Sequence, residues 1–519
     1  MLDYIIKDGL VIDGSGAEPV TANVGIQSDR IAYIGTDRPD ARETIEAKGL
    51  IVSPGFIDTH AHSEFTLLAD GRAEGKIHQG VTTEINGNCG LSAAPLRGEA
   101  AERRTADLEE LGIRERWSSF NEYLSLLRQK GTALNFATLC GHGNIRASVI
   151  GYKDRVPGVK ELSEMRQLLA EAMCEGAKGL STGLIYPPGV YATTEELIVL
   201  SKSISSVGLY ASHMRSEGDA LIESITESIR IGEEADIPIH ISHVKTSGQK
   251  NWGKIDAAIE TIEAAQARGI RLTGDRYPYI AASTDLDAVL PSWVYEGGIE
   301  EELRRLRTSD TAERIRTELR SKDEHYWKGI FISSTVKAEN KWMEGESLFD
   351  IARKRGKDII DALFEILVDE RARTGAIFFS MNEDNLRRFL SLPYVMIGSD
   401  SSVRSFSGPT CTGKPHPRGF GTFPRFLGRY VRDERIMHLP EAIRKMTSLP
   451  AMTFGLHRRG HIREGYYADL VVFDYERIID KATFEYPYQR PEGVHYVMVN
   501  GILALKEGEV TGSRSGMIV

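Results

Sequence analysis

Residues 208–243 read GLYASHMRSEGDALIESITESIRIGEEADIPIHISH, and this stretch decides the fold. A short apolar run ends at His213, a segment with apolar residues at helical spacing follows, and a second apolar run ends at His243. Strand, helix and parallel strand in this order form a βα repeat of about 30 residues. The stretch therefore predicts two neighbouring parallel strands, each of which ends in a histidine.

The same unit recurs along the middle of the chain, most regularly between residues 178 and 277. Eight segments qualify as its strands: 56–60, 82–87, 134–141, 178–183, 208–213, 237–243, 270–277 and 394–400. Eight such units predict an α/β fold, a (β/α)8 TIM-like barrel with its active site at the carboxyl ends of the strands. AIFFSM (376–381) is a ninth strand candidate. We expect it outside the barrel, because YVMIGSD (394–400) ends in polar residues that suit the active-site rim.

The two ends of the chain share a different pattern. Alternating apolar residues with Gly, Asp and Asn between them predict short strands in both terminal regions. We expect residues 1–52 and 455–519 to form a small β-sandwich domain, and residues 53–454 to form the barrel. The segment 285–393 is too long for an ordinary connection, so an insertion or lid is expected around 285–345.

Composition excludes several classes of protein. The chain has 519 residues, of which 41% are hydrophobic and 27% charged, as is typical of a globular protein with a large core. A net charge of −10 without a long basic run argues against nucleic-acid binding. The chain contains no run of about 18 apolar residues, so no membrane span is predicted. The four cysteines show no disulfide framework, and no signal peptide is evident, so a cytoplasmic protein is expected.

Six potential metal ligands fall at the carboxyl ends of the predicted strands. His60 and His62 lie two residues apart, so their side chains share one face of a strand. Cys89 follows the second strand in NGNCG, and Asp400 ends the eighth. Zinc sites in enzymes combine Cys and His ligands with an open position. The predicted ligands are His60, His62, Cys89, His213, His243 and Asp400. Taken alone, Cys89 could equally be a buried apolar residue, and Asp400 a helix cap.

Other candidates are weaker. His240 lies three residues before His243, so we expect it on the opposite face in a structural role. His142 either belongs to the rim or only orders it. His416 either orders its loop or faces solvent. Lys178 could be a carboxylated ligand, but it begins its predicted strand and should point away from the rim.

Several motifs carry a family resemblance that runs nearly end to end. GFIDTHAH, GVTTEINGNCG, ASHMRSEG, HISHVK, YPYIAASTDLDAVLP and IGSDSS resemble the D-aminoacylase group, the N-acyl-D-amino-acid deacylases of the amidohydrolase superfamily. NGNCG is especially informative, because this group uses a Cys ligand where most relatives use a carboxylated Lys. The resemblance implies zinc-dependent hydrolysis of N-acyl-D-amino acids, giving a carboxylate and a free D-amino acid.

The resemblance also implies roles for the ligands. Cys89, His213 and His243 would hold one tightly bound zinc ion. A second, weaker position would use His60, His62 and Asp400. Zinc would polarise the amide carbonyl and lower the pKa of water. Asp400 would be the catalytic residue that takes a proton from the water and passes it to the leaving amine.

Five residues are implied in substrate binding: Tyr186, Lys245, Tyr277, Ser283 and Arg418. Lys245 lies two residues beyond His243 and so shares its face, which supports its assignment on geometry alone. The loop 401–414 between Asp400 and the PHPR motif looks longer than its counterpart in the family. That length leaves the register of Arg418 and the shape of the side-chain pocket open.

The sequence alone leaves two alternative functions open. One is another amidohydrolase acting on a cyclic amide or dipeptide, such as a hydantoinase, a dihydroorotase or an isoaspartyl dipeptidase-like enzyme; Cys89 argues against it. Another is a non-catalytic barrel scaffold, against which the six ligands argue. The sequence predicts a small-molecule partner and no nucleic-acid or membrane partner. It leaves open the oligomeric state and whether the substrate side chain is acidic or hydrophobic.

Overall fold

The computed structural model describes residues 1–519. Its strands are β1 Leu2–Val11, β2 Val20–Gln27, β3 Arg30–Gly35, β4 Ala41–Glu46, β5 Ile51–Pro54, β6 Phe56–Asp58, β7 Val81–Asn86, β8 Asn135–Thr138, β9 Cys140–Gly141, β10 Gly179–Gly183, β11 Leu209–His213, β12 Ile239–Ile241, β13 Leu272–Arg276, β14 Ala281–Asp285, β15 Ile330–Ser334, β16 Gly375–Phe379, β17 Val395–Ile397, β18 Leu470–Phe473, β19 Val494–Val499, β20 Ile502–Lys506 and β21 Glu509–Val510.

The α-helices alternate with strands in the middle of the chain. They are α1 Glu64–Ala69, α2 Glu74–Ile77, α3 Gly98–Glu110, α4 Phe120–Lys130, α5 His142–Val149, α6 Val159–Cys174, α7 Thr194–Lys202, α8 Leu221–Ala235, α9 Ile255–Ala267, α10 Ile299–Arg307, α11 Ser309–Leu319, α12 Glu324–Lys328, α13 Leu348–Arg355, α14 Ile359–Asp369, α15 Glu383–Ser391, α16 Arg418–Arg425, α17 Leu439–Met446 and α18 Ser448–Thr453. A π-helix, Phe426–Asp433, continues α16. No helix is long and apolar enough to cross a membrane.

The predicted barrel is confirmed. Parallel pairing runs from β6 through β7 to β8, and from β9 through β10, β11, β12 and β13 to β17. β8 and β9 are one predicted strand interrupted at Leu139. The circle closes through a parallel bridge between Ala61 and Ser401, and the backbone N–H of Asp400 donates to the His60 carbonyl at 2.7 Å. All eight predicted strand segments contribute to this barrel.

Helix α8 shows how the local pattern builds the outer layer. Leu221, Ile225, Ile229 and Gly232 are buried on one face, at the spacing that a helix needs to cover a sheet. The helix ends at Ala235, and Asp236 follows it in the left-handed conformation at φ 51°. The polar residues of the opposite face meet solvent. This accounts for the amphipathic pattern seen between the histidine-terminated strands.

The barrel interior is filled rather than hollow. An eleven-residue apolar cluster joins strand residues such as Ile57, Ala211 and Met396 to Leu449 and Phe454. Phe454, just past α18, contacts the ring of His240 edge to face at 5.3 Å. The interior of a TIM barrel is normally packed in this way. The site residues therefore lie above a packed apolar core.

Strands from both ends of the chain share one sheet. Its nine strands run in the order β21-β20-β19-β18-β5-β1-β2-β3, with β4 also paired to β1. β18 lies antiparallel to β5, so this pairing joins the C-terminal region to the N-terminal region. Fifteen buried apolar residues form a separate core against this sheet. The β-rich pattern at each terminus thus reflects one shared sheet.

The long segment before β17 has a core of its own. Strands β14, β16 and β15 pair antiparallel in that order, and 23 buried apolar residues between Leu286 and Ala376 pack together. The expected extra strand 376–381 is β16, outside the barrel as predicted. The inserted unit begins at β14 and includes β16, so it extends past the expected 285–345. The extension arises because β16 supplies the central strand of the small sheet.

Candidate metal centre and active site

The six predicted ligands converge at the carboxyl ends of the barrel strands. His60 and His62 follow β6, Cys89 follows β7, and His213 ends β11. His243 follows β12 and Asp400 follows β17. These side chains come from five strands that are distant in sequence, and barrel closure brings them to one mouth. Each occupies the strand end where catalytic residues of a TIM barrel are found.

The ligand atoms form two groups that share one sulfur. The first group contains His60, His62, Cys89 and Asp400, and the second contains Cys89, His213 and His243. Within each group the potential ligand atoms lie within 4.8 Å of one another. Cys89 therefore stands between two adjacent positions, each of which offers nitrogen and sulfur donors.

The shared sulfur atom lies close to two imidazole nitrogens. Cys89 Sγ lies 3.2 Å from His60 Nε2 and 3.4 Å from His243 Nε2. Asp400 Oδ1 lies 3.3 Å from His62 Nε2 and 3.6 Å from His60 Nε2. His60 and Cys89 are buried, whereas His62 and Asp400 border the open mouth. The more exposed group thus keeps a carboxylate within reach of a substrate.

Three of these residues have left-handed backbones. The φ angles are 54° at Cys89, 35° at His243 and 52° at Asp400. Residues other than glycine avoid this region unless the surrounding structure holds them there, and such strain concentrates at functional sites. Gly90 beside Cys89 also has positive φ, and a Cβ there would lie 2.7 Å from the Gly183 nitrogen. The NGNCG turn therefore requires glycine at position 90, because a side chain there would clash with β10, against which the turn packs.

Opposite charges stabilise one another in the site. Burial disfavours the Cys89 thiolate, but His60 and His243 hold the pKa of this thiol well below its usual range. Burial likewise disfavours the His243 imidazolium, yet Glu217 and Cys89 raise the pKa of His243 to about 9. A metal cation would replace the imidazole protons and supply the same compensating charge.

The donors fit a borderline metal such as zinc. His213 is only 4% exposed, and neither of its ring nitrogens has a hydrogen-bond partner. A buried imidazole normally satisfies at least one nitrogen, so an unpartnered ring between Cys89 and His243 suits a ligand. Thiolate and imidazole are the donors that zinc takes in catalytic sites. The residues present therefore match the group that the sequence implied.

The predicted substrate residues lie around the six candidate ligands. Arg418 Nη1 lies 2.9 Å from Asp400 Oδ2, despite the long loop that precedes it. Arg418 also donates to the Ser283 carbonyl at 3.2 Å, so Ser283 contributes its backbone from the inserted sheet. Lys245 pairs with Glu217, and its Nζ lies 5.9 Å from the centre of the Tyr277 ring.

Tyr186 and Tyr277 differ in their hydroxyl contacts. The Tyr186 hydroxyl accepts a hydrogen bond from Thr284 at 3.2 Å, and its ring contacts His213 edge to face. The Tyr277 hydroxyl is buried without a partner. Burial opposes ionisation of Tyr277, but Lys245 and Arg276 together with Arg418 lower its pKa. Three cationic side chains of the rim therefore surround one free hydroxyl beside the candidate ligands.

Two acidic residues of the site were missed by sequence reasoning. Asp275 on β13 contacts His60 and His240, and Glu217 beyond β11 lies 2.8 Å from His243 Nδ1. An acidic residue near the carboxyl end of a predicted barrel strand, as in LTGDR, is a signal that could have identified Asp275. Glu217 lies in an ordinary polar loop and carries no such signal.

The weaker candidates are also placed. His240 does not face away from the site: its Nε2 lies 2.7 Å from Asp275 beneath His60. His142 is buried with its Nε2 2.9 Å from a Glu196 carboxylate oxygen, and His416 Nε2 donates to the Ala281 carbonyl, which orders its loop. Lys178 immediately precedes β10, at the end of the strand remote from the ligands, as expected.

Known proteins resemble this chain over nearly its whole length. The model of the amidohydrolase family matches residues 51–503. The chain belongs to the amidohydrolase family. This amidohydrolase is 39% identical to the D-aminoacylase of Alcaligenes xylosoxydans xylosoxydans, over 100% of this chain and 97% of the relative. It is 36% identical to the N-acyl-D-glutamate deacylase of the same organism, over 96% of this chain and 93% of that relative.

A solved relative shares the architecture. The N-acyl-D-glutamate deacylase of Bordetella bronchiseptica, crystallised with zinc and a phosphonate mimic of the tetrahedral intermediate, superposes with a TM-score of 0.85. The two proteins are 33% identical, and the alignment covers 100% of this chain and 99% of that one. With full-length relatives of this kind, this amidohydrolase is a hydrolytic enzyme.

Proposed function

We propose that this amidohydrolase is a zinc-dependent deacylase that hydrolyses the amide bond of N-acyl-D-amino acids. The observation that carries the proposal is the placement of Cys89 between two ligand groups, with Asp400 and Arg418 paired beside them. The relatives named as D-aminoacylase and N-acyl-D-glutamate deacylase support the substrate class. The products would be a carboxylate and a free D-amino acid.

In this proposal Cys89, His213 and His243 hold the tighter zinc ion. His60, His62 and Asp400 complete a second, weaker position. Bound zinc supplies Lewis-acid chemistry, which polarises a carbonyl and makes water nucleophilic near neutral pH. The unpartnered nitrogens of His213 support its place among the tighter ligands.

Asp400 performs the proton transfers. Burial disfavours its charged form, but Arg418 and His60 hold the pKa of Asp400 well below its usual range, so the carboxylate is ionised before the reaction begins. It takes the proton from the attacking water as the new C–O bond forms. It returns that proton to the amine nitrogen as the C–N bond breaks, which makes it base and then acid.

The cationic rim recognises the substrate carboxylate. Arg418 and Lys245 flank the Tyr277 ring, with the guanidinium carbon of Arg418 4.7 Å from the ring centre. Arginine binds carboxylates with paired charge-assisted hydrogen bonds, and the free Tyr277 hydroxyl is a further donor. Ser283 and Tyr186 close the pocket from the inserted sheet and β10. This arrangement fixes the acyl-amide bond next to Asp400.

An amine-release assay tests the proposal. We expect turnover of N-acetyl-D-amino acids and none of the L-enantiomers, hydantoin or dihydroorotate. Asp400→Asn should lower kcat by about 10²–10⁴-fold while elemental analysis finds the tighter zinc ion retained, because general acid–base catalysis contributes that much. Turnover of only the cyclic amides would instead support the hydantoinase or dihydroorotase alternative and overturn the proposal.

We further propose that the enzyme works in a reducing compartment such as the cytoplasm. All four cysteines are free, and the proposed centre depends on the Cys89 thiolate. A reducing environment keeps such a thiolate available. Activity that survives in an oxidising compartment without added reductant would contradict this assignment.

A further inference from the structure

Asp275 lies beneath the metal centre and contacts both ligand groups. It is on β13, is completely buried, and is not among the ligands of either group. Its Oδ2 lies 3.1 Å from His60 Nδ1 and 2.7 Å from His240 Nε2. Its Oδ1 accepts the backbone N–H of His243 at 2.9 Å. One carboxylate thus reaches His60 of the first group and His243 of the second.

The Oδ2 contacts select the tautomers of two histidines. An ionised carboxylate only accepts hydrogen bonds, so His60 must carry a proton on Nδ1. Its Nε2 is then free to face Cys89, 3.2 Å away. His240 carries its proton on Nε2, and its Nδ1 lies 2.9 Å from the Thr273 hydroxyl. Which ring nitrogen binds a metal is set by the bond that the other nitrogen makes.

The Oδ1 contact secures a strained backbone. His243 has a φ of 35°, a conformation that a side chain of this size seldom adopts. The hydrogen bond from its N–H to Asp275 is buried, so losing it would leave an unsatisfied donor. Asp275 therefore helps to hold the strand end that presents His243 to Cys89.

We propose that Asp275 is a positioning residue that aligns His60 for metal binding and couples the two ligand groups. The inference rests on the proposed function only in taking these groups as metal ligands. It assigns to one buried carboxylate the choice of tautomer at His60 and the backbone support at His243. Loss of the charge should therefore weaken the His60 position more than the position formed by Cys89, His213 and His243.

Asp275→Asn separates the two contacts. The His243 backbone N–H can only donate a hydrogen bond, whereas each imidazole nitrogen can donate or accept, depending on the tautomer. The oxygen of the new amide should therefore face the His243 N–H, and its NH2 group should face the rings of His60 and His240. The NH2 then donates to His60 Nδ1 and moves the imidazole proton to Nε2, the nitrogen that faces Cys89. Removing such a supporting hydrogen bond costs about 10–100-fold in metal affinity. We expect that loss for the weaker zinc equivalent in competition with a chelator, and little change for the tighter one.

His240→Gln is the matched control. It changes the other histidine on Oδ2 but leaves the contacts of Asp275 with His60 and His243. We expect both zinc affinities within about 3-fold of wild type, below the range for a supporting partner. Wild-type zinc affinity in Asp275→Asn, or equal losses in both variants, would overturn the proposal.

Nitrogen NMR of the histidine-labelled, zinc-loaded wild-type protein gives a second test that does not depend on Asp275→Asn. His60, assigned by its loss in His60→Gln, should show the Nδ1–H tautomer. An Nε2–H tautomer would overturn the proposal, and this measurement decides if Asp275→Asn fails to fold. Both measurements omit substrate, so failure of the deacylase assay alone would leave Asp275's role standing and reject only the proposed substrate.

Discussion

At the scale of single residues, Cys89 and Cys140 show how surroundings set chemistry. Both are buried near the ends of adjacent barrel strands. His60 and His243 lower the pKa of the Cys89 thiol, whereas Cys140 has no such neighbours and burial raises its pKa. A thiolate binds metal and a buried thiol is inert. The same residue type is therefore a proposed ligand at one position and a small core side chain at the other.

Cys89→Ser should remove most of the bound zinc from purified protein. Cys89 belongs to both ligand groups, and a neutral hydroxyl does not replace a thiolate as a zinc donor. Elemental analysis of metal per chain is the measurement. Cys140→Ser is the matched control and should keep its zinc. Equal metal content in the two variants would contradict the role of Cys89.

At the scale of elements, a buried ion pair joins helices α5 and α7. Glu196 in the first turn of α7 lies 2.6 Å from Arg146 and 2.9 Å from His142, both on α5. Burial disfavours the carboxylate, but His142 and Arg146 lower the pKa of Glu196 below its ordinary value of 4.5. Its stabilising contribution is therefore present above pH 4.5 and is lost as the pH falls through the folded-state pKa.

Glu196→Gln should lower the free energy of unfolding by about 3 kcal/mol at neutral pH, because Arg146 is left buried without its counter-charge. The difference from wild type should shrink in acid, where the wild-type carboxylate is protonated too. Urea unfolding of both proteins at neutral and at acidic pH measures this difference in the free energy of unfolding. Glu195→Gln, on the exposed face, should leave the free energy of unfolding close to that of the wild type. A difference that stays constant with pH would contradict the ion-pair account.

At the scale of the whole molecule, the last residues of the chain attach to the barrel. Phe136 on β8 donates its N–H to the Met517 carbonyl at 2.8 Å and accepts from the Val519 N–H at 3.0 Å. The Gly516 N–H donates to the Thr132 carbonyl at 2.8 Å. These contacts lie at the start of the third barrel strand, whereas the ligands lie at the opposite strand ends. The last residues of the chain are thus remote from the candidate metal ligands.

Deletion of residues 516–519 should destabilise the protein without changing its chemistry. Three backbone hydrogen bonds are lost, at about 1 kcal/mol each, so the free energy of unfolding should fall by about 3 kcal/mol. At temperatures where both proteins are folded, kcat/KM should equal that of the full chain. A lower kcat/KM with unchanged stability would show that the tail acts on the site instead.

The sequence by itself determined the barrel and most of its rim. Strand and helix periods are local properties, and residues at the carboxyl ends of parallel strands must meet, so His60, His213 and Asp400 could be predicted from position alone. NGNCG contained its own evidence for the shared sulfur, because the flanking glycines permit the turn that Cys89 requires.

Only the tertiary structure decided how those residues are held. Asp275 and Glu217 contact the ligands from other strands, and His240 faces Asp275 instead of turning away. The inserted unit reaches β16 because the small sheet needs a central strand. These contacts depend on barrel closure and on the left-handed strand ends at His243 and Asp400. Strand alternation cannot predict them, since a residue in that conformation changes the direction of the chain that follows.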